Sequence, residues 1–384
     1  MNAHADAMAR LPEEWRAVLE SAGERGYRAD QIFHWIHRHG VFDPAQMTNL
    51  PAELRGRLSD LGVAAPAEVA EIHASRDGTR KLVLALAGGA RVECVIIPMT
   101  PLAEADADLA AGEGDDDEQG AALPDKVRVT LCVSTQFGCA MGCVFCASGQ
   151  AGLVRALKAS EIVSQVLIAR RHLEPDEELK NLVFMGMGEP LHHYDETARA
   201  LRLLTHERGL AMSPRRITVS TVGLVPGIQR LGADFAGKVG LAVSLHAPND
   251  AIRDRIVPMN KKYPLAELMA ALRNFPLPKR RRITIEYTLI DAVNDGISEA
   301  RELARLLRGL PVKINLIPMN LIAASEHHAP ESERVQAFRE ELAALGYSCF
   351  VRSRRGDEVA AACGQLAMAD ELVRLKRQRE ERAR

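Results

Sequence analysis

Six strand–helix units in succession, a three-cysteine loop directly after the first of those strands, and polar or glycine-rich groups after the others predict an α/β chain. The expected architecture is a partial (β/α)6 TIM-like barrel with a small N-terminal helical domain and a short β extension. Strands are read at VRVTLCVST, NLVFMG, RRITVSTVG, VGLAVSLHA, RRITIEYTLI and VKINLIPMN. Between them, ASEIVSQVLIARRHL, YDETARALRLLTHER and ISEARELARLLRG have the periodicity of amphipathic helices. Short strands of branched aliphatics imply a parallel sheet covered by helices. Such sheets carry their chemistry at the C-terminal ends of the strands.

Residues 1–65 form the helical module, with Ile32, Trp35 and Ile36 at helical spacing and Asp43-Pro44 and Leu50-Pro51 marking later helix starts. Trp35 and Phe42 are read as core. Residues 66–126 form the β extension, where RKLVLAL and ARVECVIIPM alternate like a hairpin around Gly88-Gly89. The barrel is assigned to residues 127–368 and a basic tail to 369–384.

At 384 residues with 47% hydrophobic content, the chain can build a large core, and no apolar run approaches a membrane span. MNAHADAMARLPEEW has neither a basic lead nor an apolar region, so no signal peptide is expected. Seven cysteines without disulfide-framework spacing suit a reducing cytoplasm, and a monomer is expected. The net charge of −2 hides a polarity, because residues 101–124 hold eight acids and no Lys or Arg. This acidic insertion is read as a solvated loop. Arg215-Arg216, Lys261-Lys262, Lys279 to Arg282 and the stretch from Lys376 to Arg379 could meet phosphates, or be ordinary solvated surface.

Cys139, Cys143 and Cys146 stand in GCAMGCVFC. Three thiolates on one short loop can hold three irons of a cubane cluster and leave the fourth open to a small chelating molecule. The loop is one ligand short of a ferredoxin run. Zinc prefers four closed ligands, usually as separated pairs, and no second pair follows; zinc and inert buried thiols remain the alternatives. At the other strand ends, Gly186 and Gly188 in FMGMGEP could let backbone approach a ligand, and Glu189 could accept from an ammonium or hydroxyl. Ser220, Ser244 and His246 could receive a ribose or carboxylate, and Asn320 an adenine edge, although each also has an ordinary structural use.

The cysteine loop, GMGEP, STVGLVPGI, SLHAPNDAIRDRIVPMNKKY and RRGDEVAAACGQLA together resemble the radical S-adenosylmethionine RNA methyltransferases of the RlmN/Cfr group, over nearly the whole chain. The resemblance implies a 4Fe–4S cluster on Cys139, Cys143 and Cys146, chelating S-adenosyl-L-methionine at its open iron and reducing it to a 5′-deoxyadenosyl radical. It implies that another S-adenosylmethionine first methylates Cys363, that the radical takes hydrogen from this methyl, and that the resulting methylene radical adds to adenine. Cys132 then attacks the Cys363 sulfur, forming a transient disulfide, and Glu93 removes the ring proton. S-adenosylmethionine contacts fall by resemblance on Gly188, Glu189, Ser220, Ser244, Leu245, His246 and Asn320.

The implied substrate is an adenosine of RNA, modified at C2, in ribosomal RNA and also transfer RNA, with a flavodoxin-type electron donor. Methylation at C8 is the runner-up, and a non-catalytic RNA-binding protein with a structural metal is the reading from another class. The chain departs from the group's pattern in the acidic insertion, in CASGQAGLVRAL beside the cluster loop and in LIAASEHHAPESERV after Asn320. Cys94 and Cys349 match no motif and are read as structural.

Overall fold

The computed structural model describes residues 6–87, 89–99, 126–322, 325–352, 356–362 and 364–366. The acidic stretch 101–124, Cys363 and the basic tail lie outside the described residues. One ten-stranded sheet organises the chain, in the order β1-β2-β3-β4-β7-β8-β9-β10-β11-β12. Strands β1 (Ala67–Ala74), β2 (Arg80–Leu86) and β3 (Arg91–Pro98) run antiparallel, and β3 continues antiparallel onto β4 (Val127–Cys132). From β4 the sheet is parallel through β7 (Glu177–Phe184), β8 (Ile217–Thr221), β9 (Gly240–Ser244), β10 (Ile283–Leu289), β11 (Val312–Pro318) and β12 (Cys349–Val351). Among the described residues no ladder joins β12 back to β4, so the barrel is partial.

The six expected strands are present. The sheet also has two strands the pattern did not announce. β1 has only Ala67 buried and therefore shows no alternation. β12 is three residues long, too short to signal itself. The expected hairpin is formed by β2 and β3, with Leu86 N–H donating to Ala90 O (2.8 Å). The extension is therefore hydrogen-bonded edge-on to the barrel sheet.

Helices Ala159–Ala169, Tyr194–Thr205 and Ile297–Leu306 fall where periodicity placed them. The first is buried at every residue because it packs between β1–β3 and helix Tyr194–Thr205. In the N-terminal module, Ile32, Phe33 and Ile36 of helix Arg28–His37 enter the core with Trp15 and Leu19. Trp35 does not go fully inside: it is half-buried and its Nε1 donates to Asn49 Oδ1 (2.6 Å). The fully buried indole is Trp15, and Phe42 is buried as expected.

His37 sits in this core against the Phe33 ring (4.4 Å between centroids) and beside the Met8 backbone, with neither ring nitrogen in a well-formed hydrogen bond among the described residues. Burial, with His206 nearby, pushes its pKa down to about 3. The folded state therefore binds fewer protons than the unfolded chain between that value and 6.5, and stability falls as pH drops through this window. His37→Phe is expected to stabilise the protein by about 1–3 kcal/mol at neutral pH, because it removes unsatisfied buried polar atoms. It should also flatten the acid limb. Urea unfolding at pH 7.5 and pH 5 checks both, and an equal or lower midpoint for the variant would refute the assignment.

Candidate active site

The cysteine loop follows β4 and is closed at its base by a two-stranded ribbon, β5 (Gln136–Phe137) against β6 (Arg155–Ala156). Gly138 (φ +77°) makes that closure possible, since a Cβ there would lie 1.9 Å from Gly152 O. Above it, Val144 N–H donates to Ile256 O (3.2 Å) and Ala147 N–H to Gly364 O (2.8 Å). Two chain segments remote in sequence thus hold the loop. Burial pushes the Cys139 thiol up to about 12 and Cys143 well above its ordinary value, each reinforced by the neighbouring thiols.

The GMGEP turn leaves β7 and folds back over the end of β4. A Cβ at Gly186 would lie 2.8 Å from Val133 O, and one at Gly188 (φ +107°) 2.6 Å from the Gln136 Cβ. The glycines are therefore required by the turn's approach to the chain after β4, and both also line the cavity at the strand ends. Ser134 fastens the turn: its Oγ donates to Glu93 O (2.6 Å) and accepts from Met187 N–H (2.9 Å). Gln165, from the buried helix, closes a pair with the Ser134 backbone (2.8 Å each way). Glu189 is buried, with Oε1 accepting from Leu191 N–H (2.9 Å) and Oε2 from Val222 N–H (2.8 Å). Burial raises its pKa to about 7, against the pull of these hydrogen bonds.

His246 has φ +58°, an uncommon conformation for a residue with a Cβ. Its Nδ1 accepts from Thr288 N–H (2.9 Å), which leaves the ring proton on Nε2. Burial, with the charge of Arg253, lowers its pKa to about 3, so it is neutral at physiological pH. Arg253 is 1% exposed and has a bracing role the sequence reading missed. It donates to Val222 O (2.6 Å), Ser244 O (3.2 Å), Leu245 O (2.9 Å) and Asn260 Oδ1 (2.9 Å), tying the ends of β8 and β9 together. Its charge also opposes the upward shift of Cys143.

These strand ends enclose one cavity, with an empty volume of about 930 Å³ including its open mouth. Cys139, Cys143, Cys146, Gly188, Glu189, Ser220, Ser244, His246 and Asn320 all line it. Leu245 does not: its N–H donates to Glu286 O (3.0 Å) and its carbonyl accepts from Arg253. Glu93 and Cys132 stand outside the lining, on β3 and β4. Val95 faces Cys132 across the ladder, so the pleat puts Glu93 and Cys132 on one face of the sheet as diagonal neighbours. Glu93 is 3% exposed, paired with Lys81 Nζ at 3.1 Å. Burial raises its pKa, with Lys81 pulling it back.

Gly364, beside Cys363 in sequence, lines the cavity, as do Glu286, Thr288 and Arg352, which the sequence reading did not single out. The alternation Thr284, Glu286, Thr288 within a wholly buried strand was an available signal for the first two.

The donor set fits an iron–sulfur cluster. Among the described residues no three His, Cys, Asp or Glu side chains gather closely enough to hold one metal ion. The three thiols instead share a cavity wall, as ligands of separate irons can. Burial without a cation disfavours the Cys139 and Cys143 thiolates, and positive charge is what iron would supply.

Comparisons with known proteins agree with this geometry. Residues 133–307 match the Radical SAM superfamily, and residues 11–63 match the ribosomal RNA large subunit methyltransferase N-terminal domain. The chain is 58% identical over 378 residues to a protein of Sorangium cellulosum described as dual-specificity RNA methyltransferase RlmN, covering 96% of this chain and 97% of that one. A protein of the same description from Marinobacter nauticus is 43% identical, covering 91% and 89%. The crystal structure of a radical SAM methyltransferase from Sphaerobacter thermophilus has a TM-score of 0.82 and 42% identity, covering 94% of this chain and 98% of that one. Fold and site define a radical SAM methyltransferase. Within that class, the chain belongs to the RlmN family of RNA methyltransferases. Membership implies a 4Fe–4S cluster and S-adenosylmethionine. No helix among the described residues is long and apolar enough to cross a membrane.

Proposed function

We propose that this chain methylates C2 of an adenosine in 23S ribosomal RNA and in transfer RNA, through a methyl group carried on Cys363. The observation that carries the reading is the meeting, in one cavity, of the three loop cysteines, the polar groups of five strand ends and the chain beside Cys363. Cys139, Cys143 and Cys146 hold the cluster, and S-adenosylmethionine contacts Gly188, Glu189, Ser220, Ser244, the backbone around Leu245, His246 and Asn320. When bound, cluster and S-adenosylmethionine supply one electron and a hydrogen-abstracting radical. His246, neutral and protonated at Nε2, presents a donor to the cavity wall. Glu93 accepts the ring proton, and Cys132 releases the product by attacking the Cys363 sulfur.

Residues 1–65 bind RNA in this reading, 66–126 brace the sheet edge and 127–368 carry the chemistry. At the seam between the first and last of these, Arg38, Arg170 and Arg171 donate to the backbone carbonyls of Gly209, Arg38 and Gly40, and among the described residues no carboxylate is bonded to them. Such uncompensated charge suits phosphates. Arg170 is itself held below its ordinary pKa by burial and by Arg38.

Mass spectrometry of digested ribosomal and transfer RNA, from cells with and without the gene, tests the proposal. The expected result is loss of 2-methyladenosine from both RNAs. Loss of 8-methyladenosine instead would overturn the position, and unchanged RNA would overturn the reading.

A further inference from the structure

Every residue of β10 is buried, with Ile283, Ile285, Tyr287 and Leu289 alternating with Thr284, Glu286 and Thr288. Glu286 and Thr288 of this polar set line the cavity. Glu286 is 4% exposed, and its Oε1 accepts from Asn315 Nδ2 (3.0 Å), its ladder partner on β11. On the other side its ladder partner is Ser244 of β9, which also lines the cavity. Its Oε2 is buried and has no hydrogen-bond partner.

The bond to Asn315 needs only one carbonyl-type oxygen, which a glutamine would supply. A carboxylate brings a second acceptor oxygen, and burying that oxygen unpaired is costly. The group that completes it must be a donor entering from the cavity. S-adenosylmethionine offers an ammonium, an adenine amine and two ribose hydroxyls. The amino-acid end would be the part taken up by chelation at the open iron, and the adenine amine would lie on an edge that Asn320 could read. The ribose alone presents two donors on adjacent carbons. It suits a wall on which the neighbours of Glu286 within the cavity, Ser244 and Thr288, both carry hydroxyls. Carboxylate recognition of ribose hydroxyls is the same chemistry that dinucleotide-binding folds use.

We propose that Glu286, held in register by Asn315, accepts the ribose hydroxyls of the bound nucleoside through Oε2. The inference rests on reading this cavity as the S-adenosylmethionine site. It makes Glu286 a binding residue and Asn315 a positioning one.

The test is anaerobic calorimetry on the cluster-loaded protein with two probes, S-adenosylhomocysteine and its 2′,3′-dideoxy analogue. Wild-type protein is expected to prefer the ribose form by about tenfold or more, the scale of a hydrogen bond to a charged group. Glu286→Gln keeps the chain length and the Asn315 bond. It should lose most of that preference through weaker binding of the ribose form, with the dideoxy affinity within about twofold of wild type. Equal weakening of both probes, or no change in either, would reduce Glu286 to a brace between strands. Should the variant not fold, the wild-type comparison still decides, because equal wild-type affinities for the two probes overturn the proposal. If wild type binds neither probe, the reading of the cavity fails first, and the inference with it.

Discussion

Cys143→Ala protein, purified without oxygen, is expected to be colourless, with iron and sulfide near zero and no cleavage of S-adenosylmethionine under reductant. Cys143 is the middle one of the three proposed ligands, 4% exposed, and lies within reach of the Arg253 charge. Removing it leaves two thiols, too few to keep a cubane in place. The protein should nevertheless fold, because the loop is held by backbone bonds to Ile256 and Gly364 that involve no thiol. Circular dichroism can confirm this. The contrast is Cys94→Ala and Cys349→Ala. Cys94 lies inside the core on β3, and burial pushes its thiol up; Cys349 opens β12, with its thiol raised to about 12 by burial. Both variants should keep full iron and sulfide. A Cys143→Ala protein that retained them, or a Cys94→Ala protein that lost them, would show that the loop is not the ligand set.

The parts of this site legible in the sequence are those whose cause is local. A cysteine spacing, a glycine before a turn and the alternation of a strand are all complete within about ten residues. The six expected strands and the ten predicted residues lining the cavity, Gly186 among them, could be read this way. What escaped was set by partners distant along the chain. Arg253 resembles any helix arginine until the carbonyls of Val222, Ser244 and Leu245 close around it. Ser134 and Gln165 gain meaning only when a buried helix brings Gln165 against the chain after β4. Gly186 and Gly188 showed their need for space, but only the folded chain shows that Val133 and Gln136 occupy it. Trp35, read as core, stays half-buried against it, and Trp15, which no pattern singled out, goes fully inside. Helical spacing names a face, and only packing decides how far each position goes in.

The second large effect separates radical generation from methyl transfer. Cys363→Ala is expected to keep cluster, colour and reductive cleavage of S-adenosylmethionine, while RNA methylation falls below detection. The residue's proposed work is to carry the methyl group. Cys132→Ala should instead accumulate a covalent protein–RNA adduct, visible as a mass shift on denaturing gels, because the attack that frees the product is missing. Glu93 supplies an independent handle on the same later steps. Burial lifts its carboxyl above the ordinary value, so a falling pH protonates it sooner than a free glutamate. A base must be ionised to act, so methyl transfer should decline as pH drops through that raised value, while cleavage of S-adenosylmethionine does not follow it. Glu93→Gln should remove the acid limb by lowering transfer at every pH. Loss of the cluster in Cys363→Ala, clean turnover by Cys132→Ala, or parallel pH profiles for cleavage and transfer would each remove one residue from the proposed sequence of events.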